Sequence, residues 1–112
     1  MSKFVEAVET YMAQVNELGL GLDEALVTAV AKSLGPSIYN ADSSKVSGSD
    51  KTELDRVKQN FLQGKLGLPD GPELDAAIAE VIEQLGSSNR NKYRTVVYAL
   101  LVKKFGKEAM YQ

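Results

Sequence analysis

Thr95-Val96-Val97-Tyr98-Ala99-Leu100-Leu101-Val102 is the stretch that decides the fold. Its first half has the β-branched and aromatic composition of a strand, and a short apolar run does not by itself separate a strand from a buried helix. Two features favour the helix. No second run offers a hairpin partner, and the span from Ser88 to Gly106 carries helix start and stop residues. A helix that is apolar on all sides for two turns must be enclosed by others. The stretch therefore predicts a central, largely buried C-terminal helix over about Asn89 to Phe105, with Lys107 to Gln112 adding one more turn or fraying.

The upstream sequence supplies elements to enclose it. Phe4, Val8, Tyr11, Met12, Val15 and Leu18 recur at steps of three and four, the spacing of one helical stripe, and Gly19 suits a helix terminator. Asp23 is placed to cap a second helix whose inward stripe is Leu26, Val27, Val30 and Leu34, with Gly35-Pro36 ending it. Ser37 to Ser49 reads as a loop or short turn. Ser49 or Asp50 opens a third helix. With Asp50 as cap, Glu53 falls at the third helical position, the place of the glutamate in a capping box. Leu54, Val57, Phe61 and Leu62 then face inward, Gly64 weakens the last turn, and Gly67 with Pro69 finish it. Gly71-Pro72 begins a fourth helix, with Glu73 and Asp75 at the positive end of its dipole. Its stripe is Leu74, Ile78, Val81, Ile82 and Leu85, ended by Gly86. The expectation is an all-α compact bundle of about five helices forming a single helical domain, residues 1–112. Leu18-Gly19-Leu20 and Leu66-Gly67-Leu68 echo one another, but the helices before them do not align in apolar phase. Shared capping grammar explains the echo as well as duplication does.

Composition removes most chemistry. The 112 residues include no Cys and no His, and no Trp. Disulfides, thiol nucleophiles, thiolate or imidazole zinc sites and Ser-His-Asp arrangements are excluded. The carboxylates are spaced as helix-surface charges, and neither a phosphate-cradling Gly-rich loop with Lys nor a GxSxG turn is present. No enzyme, cofactor or metal is expected. The Asp42 to Glu53 segment has carboxylates at both ends of a twelve-residue calcium-loop frame, yet places five and six hold Val46 and Ser47 where oxygen and glycine are needed. That match fails. The longest apolar run, Val96 to Val102, is far short of the roughly 20 residues that span a bilayer, and Met1 to Glu6 has no export-signal character. A cytoplasmic protein without membrane attachment is expected.

Charge is unevenly placed. Residues 1–86 carry seven Lys or Arg against fourteen Asp or Glu, whereas residues 87–112 carry six against Glu108 alone. In Ser87-Ser88-Asn89-Arg90-Asn91-Lys92-Tyr93-Arg94, Ser88 or Asn89 makes a sound helix cap. Three cations directly after a cap have the wrong sign for the positive helix end. Something must compensate them: acidic side chains of the other helices, or a bound anion held by Asn89, Arg90, Lys92 and Arg94. A second candidate binding segment is Gly35-Pro36-Ser37-Ile38-Tyr39-Asn40-Ala41-Asp42. Ile38 and Tyr39 can pin it to the core, while Tyr39, Asn40 and Asp42 make a polar ligand site in the alternative reading.

These residues also carry a resemblance. Gly35 to Asp42, Gly48-Ser49-Asp50-Lys51, Asn60-Phe61-Leu62, Lys65-Leu66-Gly67-Leu68 and Ser87 to Arg94, extending to Phe105-Gly106-Lys107-Glu108, resemble a bacterial family of short proteins known only as a domain of unknown function. The resemblance covers nearly the whole chain and implies a bacterial, stand-alone, all-helical domain. It supplies no activity, cofactor or partner. The functional expectation is accordingly a small non-enzymatic protein-protein interaction module, self-associating or binding an unknown protein partner. The alternative is anion or nucleic-acid binding through the basic segment 90–107, with Lys103, Lys104 and Lys107 joining Arg90, Lys92 and Arg94.

Overall fold

The computed structural model describes residues 3–40, 44–86, 88, 89 and 91–111. Five helices follow in order: α1 (Lys3–Leu18), α2 (Glu24–Leu34), α3 (Lys51–Arg56), α4 (Pro72–Leu85) and α5 (Arg94–Lys104). A 3₁₀ turn, Gly35–Tyr39, extends α2, and another, Glu108–Tyr111, follows α5. The chain is all-helical, and its sole extended pairing among the described residues is an isolated antiparallel bridge between Lys45 and Tyr93. No helix among the described residues is long and apolar enough to cross a membrane.

The deciding stretch is a helix. Every residue from Thr95 to Val102 is buried, and α5 packs against α1, α2 and α4. Its walls come from the expected stripes, Val8, Tyr11 and Val15 of α1, Val27 and Val30 of α2, and Leu74, Ile78, Val81, Ile82 and Leu85 of α4, joined by Ala31 and Ala77, which the stripes did not include. Leu18, expected on the α1 stripe, is exposed. Gly35 and Gly86 end α2 and α4 at positive φ, 65° and 96°, a region that glycine enters without the Cβ clash other residues meet.

The third helix departs from expectation. After Arg56 the backbone widens into a π-helical segment, Val57–Lys65. The burial pattern gives the reason. Val57, Phe61, Leu62 and Leu66 are all buried. At 3.6 residues per turn, an α-helix would carry Leu66 to about 180° from Val57, out into solvent. Bonding five residues back, as the Leu66 amide does to the Phe61 carbonyl at 2.9 Å, keeps all four on the core side.

The start of α5 also differs. It begins at Arg94, with Tyr93 as the extended N-cap residue, rather than at Ser88 or Asn89. The Val46 amide donates to the Lys92 carbonyl and the Arg94 amide to the Ser44 carbonyl, both at 2.8 Å. These two bonds hold residues 92–94 extended against residues 44–46, so the helix starts only beyond them. Gly48 lies so close to α4 and the Lys92 stem that a Cβ there would sit 2.9 Å from Ile82 Cγ2 and 3.0 Å from Lys92 Cε.

Candidate functional site

The bridge brings the two candidate segments of the sequence towards one another. In the first, Ile38 is buried and anchors the 3₁₀ turn, as expected. Tyr39 does not share that role, with 47% of its surface exposed. The Asn40 amide donates to the Ser37 carbonyl, and the Asn40 carbonyl accepts from the Ser44 amide at 2.8 Å. Asn40 therefore ties the turn to the bridge. Asp42 lies outside the described residues.

In the second segment, Asn89 finishes α4 rather than starting α5. Its Nδ2 donates to the Leu85 carbonyl at 3.0 Å and its Oδ1 accepts from the Asn91 amide at 2.8 Å. One side chain thus satisfies a terminal carbonyl of α4 and closes the following turn. Lys92 is buried, and its ammonium donates to the Asn89 carbonyl. Arg90 lies outside the described residues.

Arg94 has a dense internal set of partners. One guanidinium nitrogen donates to the Tyr98 hydroxyl at 3.0 Å, and the other meets the Glu53 carboxylate and the Lys45 carbonyl. Both side chains of the ion pair are mostly buried, 16% exposed for Arg94 and 17% for Glu53. Burial opposes the charge, but the Tyr98 hydroxyl and the Glu53 carboxylate outweigh it, so the Arg94 guanidinium stays above its ordinary value. The wrong-signed charge at the start of α5 is compensated by an acidic residue of α3. Glu53 had been placed for a capping box, yet only the Asp50 half of one forms. Asp50 Oδ1 accepts from the Thr52 and Glu53 amides, while the Glu53 carboxylate turns to Arg94. Further along the basic segment, Lys103 donates to the Gly21 carbonyl at 2.7 Å and Lys104 pairs with Glu80 at 2.7 Å.

Three tyrosines lie near one another beside the bridge. Tyr11 and Tyr93 pack ring to ring at 5.2 Å, tilted by 58°, and the Lys45 ammonium lies 5.9 Å from the Tyr93 ring centre. Burial pushes the Tyr11 hydroxyl above its ordinary value, and Tyr93 and Tyr39 both lie within electrostatic reach and add to the shift. Tyr11 is buried, Tyr93 is partly covered and Tyr39 is exposed, so the group runs from core to surface. Sequence reasoning placed Tyr11 on the α1 stripe and Tyr93 in the basic segment. It missed their contact with one another, which the bridge creates. Among the described residues no group of three or more carboxylates is arranged to hold a metal ion.

Fold and site together define a small all-helical protein in which, among the described residues, Lys92, Arg94, Lys103 and Lys104 each meet a carbonyl or carboxylate of the fold. Residues 10–109 match the family described as protein of unknown function (DUF2853), and the chain belongs to that family. No curated protein matches the chain.

Proposed function

We propose that the protein is a non-enzymatic interaction module of the cytoplasm that binds another protein chain through the Tyr39–Tyr93–Lys45 surface. The observation that carries this reading is the 47% exposure of Tyr39 on a turn whose neighbour Ile38 is buried. A large aromatic side chain held out by a fixed backbone loses little conformational freedom on binding, and tyrosine is enriched among residues that dominate interface energies. Lys45 adds a cation at the rim, suiting a partner with an acidic edge.

The basic segment supports the alternative less well. Arg94, Lys103 and Lys104 each meet a carboxylate or carbonyl of the fold, and Lys92 is buried. Nucleic-acid binding draws on cations that reach phosphate freely.

The test is site-specific photo-crosslinking with the reactive group placed at position 39, beside a control at the exposed Met110. The interaction reading expects a discrete adduct from position 39, either to a second copy or to one other protein, that is absent from position 110. Tyr39→Ser should weaken the same association measured by sedimentation. Equal labelling from both positions, or none, overturns the reading. Binding of mixed nucleic acid at low salt that fades steeply as salt rises favours the alternative.

A further inference from the structure

A second site lies away from the Tyr39 surface, where the π-helical segment crosses α2 and α5. A cleft of about 220 Å³ opens there, bounded by Leu34, Asn60, Phe61, Lys65, Tyr98 and Tyr111. The unusual winding is what builds it. In an α-helix Asn60 and Lys65 would point about 140° apart. Bonding across five residues brings them closer to one side, and both line the cleft. Such turns are rare and recur at functional sites.

The lining has a consistent chemistry. Leu34, Phe61 and Tyr98 supply an apolar wall, with the Phe61 and Tyr98 rings stacked at 3.8 Å and 13°. No carboxylate lines the cleft. Among the described residues, Lys65 pairs with no carboxylate; its ammonium lies 6.0 Å from the Tyr111 ring centre. Behind the wall, the Arg94 guanidinium donates to the Tyr98 hydroxyl. Glu53 answers the Arg94 charge, so Lys65 is the cation that faces this aromatic-walled recess. The cleft is open to solvent on one side, and its volume of about 220 Å³ gives room for an aromatic ring whose head group stays near water.

We propose that this cleft binds a small aromatic carboxylate, its ring against Phe61 and Tyr98 and its carboxylate received by the Lys65 ammonium and the Asn60 amide. One ammonium and one amide match a singly charged, two-oxygen head better than a phosphate dianion, which draws more donors and usually arginine or a helix start. Tyr39 does not line the cleft, so this inference and the interaction reading fail separately.

The experiment is an NMR titration of the isotope-labelled full chain with benzoate, with benzyl alcohol and inorganic phosphate as the neutral and ring-free comparisons. Benzoate should shift the backbone signals of Asn60 to Leu66, Leu34 and Tyr98 and should saturate. Benzyl alcohol and phosphate should each bind at least about tenfold more weakly, the scale of one charge-assisted hydrogen bond. Lys65→Gln, at an exposed position where folding is checked by retained signal dispersion, should lose benzoate binding by a similar factor. Lys107→Gln should leave it unchanged. Shifts scattered over many lysines without saturation, equal binding of benzyl alcohol, an unaffected Lys65→Gln variant, or no shift at all would each overturn the proposal.

Discussion

Arg94, the first residue of α5, forms an ion pair with Glu53 of α3, 41 residues earlier, and the same guanidinium donates to Tyr98 one turn further along its own helix. The pair joins three parts of the molecule, since Arg94 also reaches the Lys45 carbonyl in the bridge. Removing the Glu53 charge leaves the largely buried Arg94 guanidinium with only neutral partners, the Tyr98 hydroxyl and the Lys45 carbonyl. Glu53→Gln is expected to lower stability by about 1–3 kcal/mol, below the full cost of breaking a fully buried pair because both side chains retain some solvent contact. Replacing both members with apolar residues, Glu53→Leu with Arg94→Met, should cost less than Glu53→Gln alone. Urea midpoints of the three chains decide this. A double variant weaker than the single would show that the charge pair itself is indispensable.

Gly48 admits no side chain without displacement. Its added Cβ would press on Ile82 Cγ2 at 2.9 Å, a branched atom of α4, as well as on the more pliable Lys92 stem. Gly48→Ala should therefore destabilise by about 1–3 kcal/mol, the scale of overpacking, despite the usual benefit of a less flexible unfolded chain. Thermal unfolding checks this, and an alanine variant that melts higher would refute the contact.

Asp50 is a true side-chain cap. Its Oδ1 receives the Thr52 amide at 3.0 Å and the Glu53 amide at 3.4 Å, two of the donors that a helix start leaves open. Asp50→Ala should cost about 1 kcal/mol. Hydrogen exchange at the first turn of α3 should accelerate, whereas exchange in α5 should follow only the smaller global change. Asp23, which makes no side-chain cap bond to α2, is the contrast, and Asp23→Ala should cost clearly less.

Alkaline pH should destabilise the protein through Tyr11, which is buried, and Tyr111, which is partly covered. Burial pushes Tyr11 and Tyr111 above the ordinary value of 10.0. Folding therefore favours their neutral forms. The unfolded chain releases these protons near pH 10, while the folded chain holds them to higher pH. Their stabilising contribution is complete below pH 10 and is lost as pH rises from there through the folded values. Circular dichroism and tyrosinate absorbance should change together above pH 10, and Tyr11→Phe should flatten the loss. Tyrosinate signal from every tyrosine while the helices persist would contradict the burial argument.

Much of the bundle was legible along the chain because helix periodicity and capping are local. The stripes of α1, α2 and α4, the Asp50 cap and the glycine stops each depend on residues within a turn or two of one another. The π-helical winding left a trace of the same kind. Val57, Phe61, Leu62 and Leu66 fit no single α-helical face. A five-residue step in an apolar stripe was the available signal.

The candidate site was less legible, and its residues show why. The sequence marked Arg94 as a cation that needs compensation and Asn89 as a cap for the following helix. Asn89 finds its partners locally, on the helix before it instead of the helix after it. Arg94 finds Glu53 through the pairing of residues 44–46 with residues 92–94.

Amino-acid order alone determined that this chain forms helices, which faces they bury, and that cysteine and histidine chemistry is closed to it. Tertiary structure decided where α5 begins, which acid answers Arg94, and that Tyr11 meets Tyr93. Periodicity and caps are written within a few residues, whereas the partner of a charge is set by which distant segments the packed core draws together.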